Sequence, residues 1–156
     1  MTDLLPSQDI SVRLYTPADR AACMAIFSGN VPEFFDSSET ADFARFLDTL
    51  AEAWAYQVLE QNGRVVACGG LERSGEGKRA GLCWGMVDRS LHRQGLGRKL
   101  TEARLRSAAD MGVEQVVLDT SQHTQAFYAQ FGFEPTKVVR DGYGPGLDRW
   151  EMVLQL

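Results

Sequence analysis

Between the end of a β-rich run and the start of a helical one, the chain reads Val87-Asp88-Arg89-Ser90-Leu91-His92-Arg93-Gln94-Gly95-Leu96-Gly97-Arg98-Lys99-Leu100. Gly95 and Gly97 stand where the loop turns into the helix. Glycine lets a backbone approach a ligand closely because no Cβ intervenes. The first helical turn leaves its N–H groups without partners, and the helix dipole adds partial positive charge there. Together these features make a cradle for a phosphate. Arg89, Arg93, Arg98 and Lys99 concentrate positive charge at this one place in a chain whose net charge is −5. The chemistry such a segment suits is the capture of a small phosphorylated ligand.

Several rival chemistries are excluded by residues that are missing. A Walker loop needs Gly-Lys-Ser/Thr after its spacer, and none is present. A dinucleotide fingerprint needs a third glycine where Leu100 stands. Histidine occurs only as His92 and His123, with no His-Glu-x-x-His helix, and there is no Gly-x-Ser-x-Gly elbow. Cys23, Cys68 and Cys83 are odd in number and widely spaced, so neither a disulfide framework nor a zinc knuckle is expected. No metal is expected, and a reducing compartment, the cytoplasm, suits three free thiols. The acidic balance argues against nucleic acid and anionic membranes as partners. No apolar run reaches the roughly 18 residues of a membrane span, and Met1–Pro6 lacks the basic leader and apolar stretch of a secretory signal.

The elements that position this segment follow from pattern. The 156 residues predict a single domain covering 1–156. Residues 10–16 alternate as a strand. Thr16-Pro17-Ala18-Asp19 opens a helix to about Phe27, broken at Gly29-Asn30-Val31-Pro32. A second helix begins near Asp36–Ser38, with Phe43, Phe46, Leu47, Leu50 and Trp54 as one buried stripe. Strands at 56–61 and 64–72 are joined by Asn62-Gly63, a strong hairpin signal, and a third strand covers 79–87. The helix over 95–111 places Leu96, Leu100, Ala103 and Met111 inward, and Arg98, Glu102, Arg106 and Asp110 toward water. Val113–Asp119 predicts a strand buried on both faces, parallel to the one before the helix. A helix over 124–131 and strands at 133–140 and 149–156 complete the chain, around a glycine-rich loop, Asp141–Gly146.

This order of elements resembles the GNAT superfamily of acyl-CoA-dependent N-acetyltransferases, over nearly the whole chain from Ile10 to Leu156. The family's Gln/Arg-x-x-Gly-x-Gly/Ala maps onto His92-Arg93-Gln94-Gly95-Leu96-Gly97, with His92 departing from the pattern. Its Asn-x-x-Ala-x-x-Leu/Phe-Tyr-x-x-x-Gly-Phe maps onto Ser121 through Phe133. Tyr128, Gly132 and Phe133 fall on pattern, while Ser121 and Thr124 replace the asparagine and the alanine.

The resemblance implies a mixed α/β fold. Its central sheet is mostly antiparallel, with one parallel pair splayed near Met86 and Leu118 into an acyl-CoA cleft and helices on both faces. It implies acetyl-CoA as cosubstrate, its pantetheine pairing with backbone at Met86 and Val87. The diphosphate would lie on the amides of Gln94, Gly95, Leu96, Gly97, Arg98 and Lys99, with His92, Arg93, Ser121 and Tyr128 as further cofactor-binding residues. It implies direct attack by a primary amine of a small molecule or peptide, with Tyr128 as proton donor to the leaving thiolate and backbone N–H near Val87 facing the carbonyl oxygen. Glu33 is the candidate base, while Glu72, Asp88, Asp119 or an ordered water could also serve. Family members are often dimers, so a homodimer is a further expectation. An acyl-CoA-binding sensor without chemistry and a nucleotide-binding regulatory domain are the alternatives.

Overall fold

The computed structural model describes residues 10–156. Seven strands form one mixed sheet in the order β1-β2-β3-β4-β5-β7-β6. They are β1 (Ile10–Leu14), β2 (Gln57–Gln61), β3 (Arg64–Ser74), β4 (Arg79–Val87), β5 (Gln115–Thr120), β6 (Glu134–Gly144) and β7 (Leu147–Gln155). The helices are α1 (Arg20–Gly29), α2 (Thr40–Thr49), α3 (Leu96–Asp110) and α4 (Gln125–Ala129). The expected fold class is the observed one: mixed α/β, mostly antiparallel, with β4 and β5 as the parallel pair. Contacts divide the chain into two compact units, one ending at Leu71 and resuming over Trp84–Arg104, the other made of Glu72–Cys83 and Leu105–Leu156. The strands β3 and β4 and the helix α3 contribute to both. Among the described residues no helix is long and apolar enough to cross a membrane.

In the first unit β1, β2 and β3 form an antiparallel meander. Asn62 and Gly63 make its tight turn, both with positive φ (54° and 80°), as a two-residue hairpin requires. Apolar side chains pack α1 and α2 into the core: Cys23, Ile26 and Phe27 from one, Phe43, Phe46 and Leu47 from the other. The α2 stripe is shorter than its spacing predicts. The helix stops at Thr49, leaving Leu50 37% exposed and Trp54 outside the helix, its ring edge-on to Phe46. The expected strand over 10–16 likewise ends at Leu14. Cys23 and Cys68 are free and buried, and their mutual proximity together with burial pushes the Cys23 thiol up.

The entry to α1 is fixed by charge. Asp19 accepts two bonds from Arg13 (Nη1 to Oδ2 and Nη2 to Oδ1, each 2.8 Å) and one from the backbone N–H of Thr16 (2.9 Å). Arg13 also reaches Glu60 on β2 at 3.1 Å. The strand edge and the helix start therefore share one guanidinium.

In the second unit β5 pairs in parallel with β4 over Arg79–Gly81 and Gln115–Val117, and antiparallel with β7 from Gln115–Gln155 to Thr120–Trp150. The strand β5 is not buried on both faces as its composition suggests. Val116, Leu118 and Thr120 are buried, whereas Asp119 is exposed. The antiparallel partner β7 explains this, since such sheets keep one face toward water. The expected loop over Asp141–Gly146 is mostly strand. β6 continues to Gly144 and only Pro145-Gly146 turns into β7. The last helix, α4, has five residues, fewer than its pattern predicts.

The Arg13 hydrogen bonds hold the Asp19 carboxyl below its ordinary value, helped by Thr16 and opposed by burial. Its stabilisation is therefore present above the unfolded carboxylate pKa and is lost as pH falls through the depressed folded value. We expect Asp19→Asn to lose about 2 kcal/mol in urea unfolding at neutral pH, the scale of hydrogen bonds to a charged group. The difference from the parent should shrink once the pH drops below about 4. A pH-independent difference would mean that the pair is not its source.

Candidate functional site

Strand β4 ends in an irregular stretch. Trp84 has φ +46°, a left-handed value that is uncommon for a bulky residue. Its carbonyl accepts a hydrogen bond from Tyr56 Oη, and its ring packs among Phe27, Phe35, Phe43 and Phe46, with centroids 5.0–6.3 Å apart. Aromatic packing and the tyrosine bond hold the kink. Met86 follows with its side chain buried. The Val87 carbonyl then accepts from Asn30 Nδ2 at 2.9 Å and lies 2.9 Å from His92 Nε2.

That carbonyl explains two residues. Asn30 is 2% exposed and its amide also donates to the Ile26 carbonyl at 2.8 Å, tying the end of α1 to the end of β4. His92 spends one ring nitrogen on Val87 and packs edge-on to Phe34 at 5.2 Å. Both lone pairs of the Val87 carbonyl are thereby used, so a strand-like partner at Val87 is left with its N–H side.

Asp88 shapes the next turn. It accepts from Ser90 N (2.9 Å) and Ser90 Oγ (2.7 Å), and pairs with Arg64 at 2.6 Å. Burial works to raise its pKa, but the Ser90 bonds and the Arg64 charge hold it below the ordinary value. This carboxylate is committed to structure.

The loop into α3 carries two left-handed residues, Arg93 (φ +67°) and Gly95 (φ +85°). A Cβ at Gly95 would meet nothing within 4 Å, so the glycine serves backbone conformation and leaves open space before the helix. The first helical bond runs from Lys99 N to Gly95 O at 3.1 Å. The N–H groups of Leu96 and Gly97 thus lack acceptors in the preceding turn. Leu96 and Leu100 anchor the helix in a cluster with Leu59, Val66 and Ala67. Arg98 reaches Glu102 at 3.8 Å. Arg93, Gln94 and Lys99 are exposed, and no carboxylate among the described residues pairs with Arg93 or Lys99. Arg89 is spent on Glu33, whose half-exposed carboxylate it pairs with while lying over the Phe34 ring at 5.4 Å. The structure therefore joins Glu33, Arg89, Phe34 and His92 beside the end of β4.

Tyr128 and Ser121 belong to the second unit. After β5 the chain turns on Ser121, whose Oγ accepts from His123 N at 3.1 Å and whose carbonyl accepts from Thr124 N and Gln125 N. Its hydroxyl oxygen is thus engaged in the turn. Thr120 and Thr124 share a hydroxyl–hydroxyl bond. Gln122 reaches Gly146 O and Asp148 N, each at 2.8 Å, bracing this turn against the β6–β7 turn. Tyr128 sits edge-on between Phe127 and Phe133, with centroids at 5.1 and 6.0 Å, and its hydroxyl makes no hydrogen bond among the described residues. On the sheet of this unit, a groove of about 370 Å³ is lined by Arg79, Gln115, Asp119, Thr136 and Glu151, among others. Burial and the Glu151 charge push Asp119 up, against the pull of Arg149. Glu72, the remaining candidate base, is exposed at the outer end of β3.

Asn30, Gln122 and the buried Arg104 escape sequence reasoning. Asn30 looks like one of several residues in a helix break, and Gln122 like a loop amide. For Asn30→Ala we expect a loss of about 2 kcal/mol, because two buried carbonyl bonds disappear together. Thermal unfolding measures it, and an unchanged midpoint would show that water replaces the amide.

No curated protein sequence matches the chain. Solved structures do. The ribosomal-protein-S18-alanine N-acetyltransferase from Escherichia coli is 24% identical, with a TM-score of 0.78 over 94% of this chain and 93% of that one. An N-acetyltransferase from Staphylococcus aureus Mu50 is 16% identical, with a TM-score of 0.77 over 94% and 98%. An aminoglycoside 6′-N-acetyltransferase, solved with coenzyme A, is 12% identical, with a TM-score of 0.77 over 93% and 96%. At these identities the likeness establishes the fold. The model of the acetyltransferase (GNAT) family matches residues 22–133, from α1 through the amide cradle and Tyr128 to Phe133. With well over half its length carrying that pattern, the chain belongs to the GNAT family of acetyltransferases.

Proposed function

We propose that this protein transfers an acetyl group from acetyl-CoA to a primary amine of a small molecule or peptide, working as one domain in the cytoplasm. The observation that carries the reading is the α3 start: N–H groups of Leu96 and Gly97 with no acceptor in the preceding turn, open space at Gly95, and Arg93 and Lys99 exposed without a carboxylate partner among the described residues. This arrangement suits the diphosphate of coenzyme A. The end of β4, at Met86 and Val87, offers backbone to the pantetheine arm.

The chemistry asks three things of the side chains. The amine must be neutral to attack, so a carboxylate or a water it orders removes a proton. Glu33 is the residue for this, oriented by its ion pair with Arg89. The carbonyl oxygen gains negative charge as the new C–N bond forms, and the backbone N–H groups at the end of β4 face it. The C–S bond then breaks, and the sulfur takes a proton from Tyr128, whose hydroxyl makes no hydrogen bond among the described residues. The products are the N-acetylated amine and the free thiol of coenzyme A.

Acetyl-CoA at about 100 times its Kd stabilises its target by roughly 2.7 kcal/mol. That should raise Tm by about 8 °C for a chain of this size, while NAD or ATP at the same concentration should not. Thiol release across polyamines, amino acids and peptide N-termini then identifies the acceptor. We expect Tyr128→Phe to lower kcat about 100-fold with the acetyl-CoA shift intact, and Glu33→Gln to lower turnover without lowering that shift. Absence of both the shift and thiol release would overturn the reading.

A further inference from the structure

Arg104 is 2% exposed and has the largest volume of the fully buried side chains among the described residues. It lies on α3, two turns beyond the amide cradle. Two strands make room for it by giving up their side chains. A Cβ at Gly85 would lie 2.7 Å from Nη2, 2.8 Å from Nη1 and 3.0 Å from Cζ. A Cβ at Gly69 would lie 3.1 Å from Cζ and 3.2 Å from Nε. Any other residue at Gly85 would displace the guanidinium, because contacts under 3.0 Å are essentially never seen.

The group housed with such care has one nitrogen without a partner. No carboxylate among the described residues forms an ion pair with Arg104, and its Nε has no hydrogen-bond acceptor. A buried charge is ordinarily paired, and an unpaired one costs stability. An apolar side chain of similar volume would fill the same space at lower cost. Stability therefore does not account for Arg104. No described side chain supplies the negative charge that would balance it, and the strand it presses against suggests a ligand that could. Gly85 is followed directly by Met86 and Val87, the backbone that the proposed function assigns to the acyl arm.

Resting on that reading, we propose that Arg104 is a positioning residue for acetyl transfer: a fixed positive charge behind β4 that stabilises negative charge developing on the thioester during reaction. It touches neither substrate. It acts across the β4 backbone, where a dry setting strengthens its field. The ground-state thioester is neutral, so the interaction arises mainly in the transition state. Its loss should then appear in kcat and leave KM for acetyl-CoA nearly unchanged.

The test uses the full chain, acetyl-CoA and the best amine of the panel above. Arg104→Met keeps the volume and removes the charge. We expect kcat to fall about 30-fold, KM for acetyl-CoA to stay within about twofold, and Tm to stay level or rise. Arg104→Lys restores the charge and should recover most of the rate. A methionine variant that turns over like the parent overturns the assignment. So does one that melts earlier, or a lysine variant no faster than the methionine one, since each marks a structural role. Failure of the parent protein to bind acetyl-CoA or release thiol is a separate result, which removes the acetyl-transfer reading itself.

Discussion

Both lone pairs of the Val87 carbonyl are used, one facing Asn30 at the end of α1, the other facing His92 at the entrance to the amide loop. This single oxygen fixes the end of β4, the exit of the first helix and the approach to α3. Without it, the open backbone between His92 and Gly97 would have no fixed origin. Phe34 on His92 and Arg89 on Phe34 extend the same anchor to Glu33, so an exposed loop inherits the order of a strand end. A phosphate cradle is only as well placed as the strand that precedes it. Here that strand is held by hydrogen bonds to its last carbonyl and by aromatic packing around Trp84.

The elements that carry this arrangement are legible in the sequence because their signals are local. Asn62-Gly63 allows little but a hairpin. Thr16-Pro17-Ala18-Asp19 opens a helix, though after a short 3-10 turn, with Asp19 bonded back to the Thr16 amide. The run 79–87, helix, then 115–120 reads as one parallel crossover, and β4 and β5 pair in that sense. What fails is what depends on partners distant in sequence. Trp54 keeps helical spacing with Phe43, yet the helix has stopped at Thr49 and the ring reaches Phe46 from a turn. The run Val113–Asp119 has the composition of a doubly buried strand, but an antiparallel neighbour leaves one face open at Asp119.

The candidate site divides along the same line. Gly95 and the exposed cations beside it announce themselves by type and spacing. His92 is visible as a departure from the family motif, but its bond to a carbonyl five residues earlier is not. Arg104 is the plainest case. On a helical wheel it stands beside Ala103 and near Leu100, and a charged residue there is ordinarily assigned to water. Only Gly69 and Gly85, 35 and 19 residues earlier in the chain, reveal the space in which it is buried.

Positive charge therefore stands at two depths along α3, and the depths suit different tasks. Arg93 and Lys99 lie in water at the helix start, where salt screens them within a Debye length of about 8 Å at physiological ionic strength. Such charges draw in and hold a polyanion, and they act on its charge whether or not reaction has begun. Arg104 is walled off by two strands and the helix, so counter-ions cannot follow it. Its field changes little with salt and is felt most where charge appears during the reaction. A chain of net charge −5 can bind an anionic ligand with the outer pair alone. Burying a third cation that forms no ion pair among the described residues makes physical sense when there is a transient negative charge for it to meet.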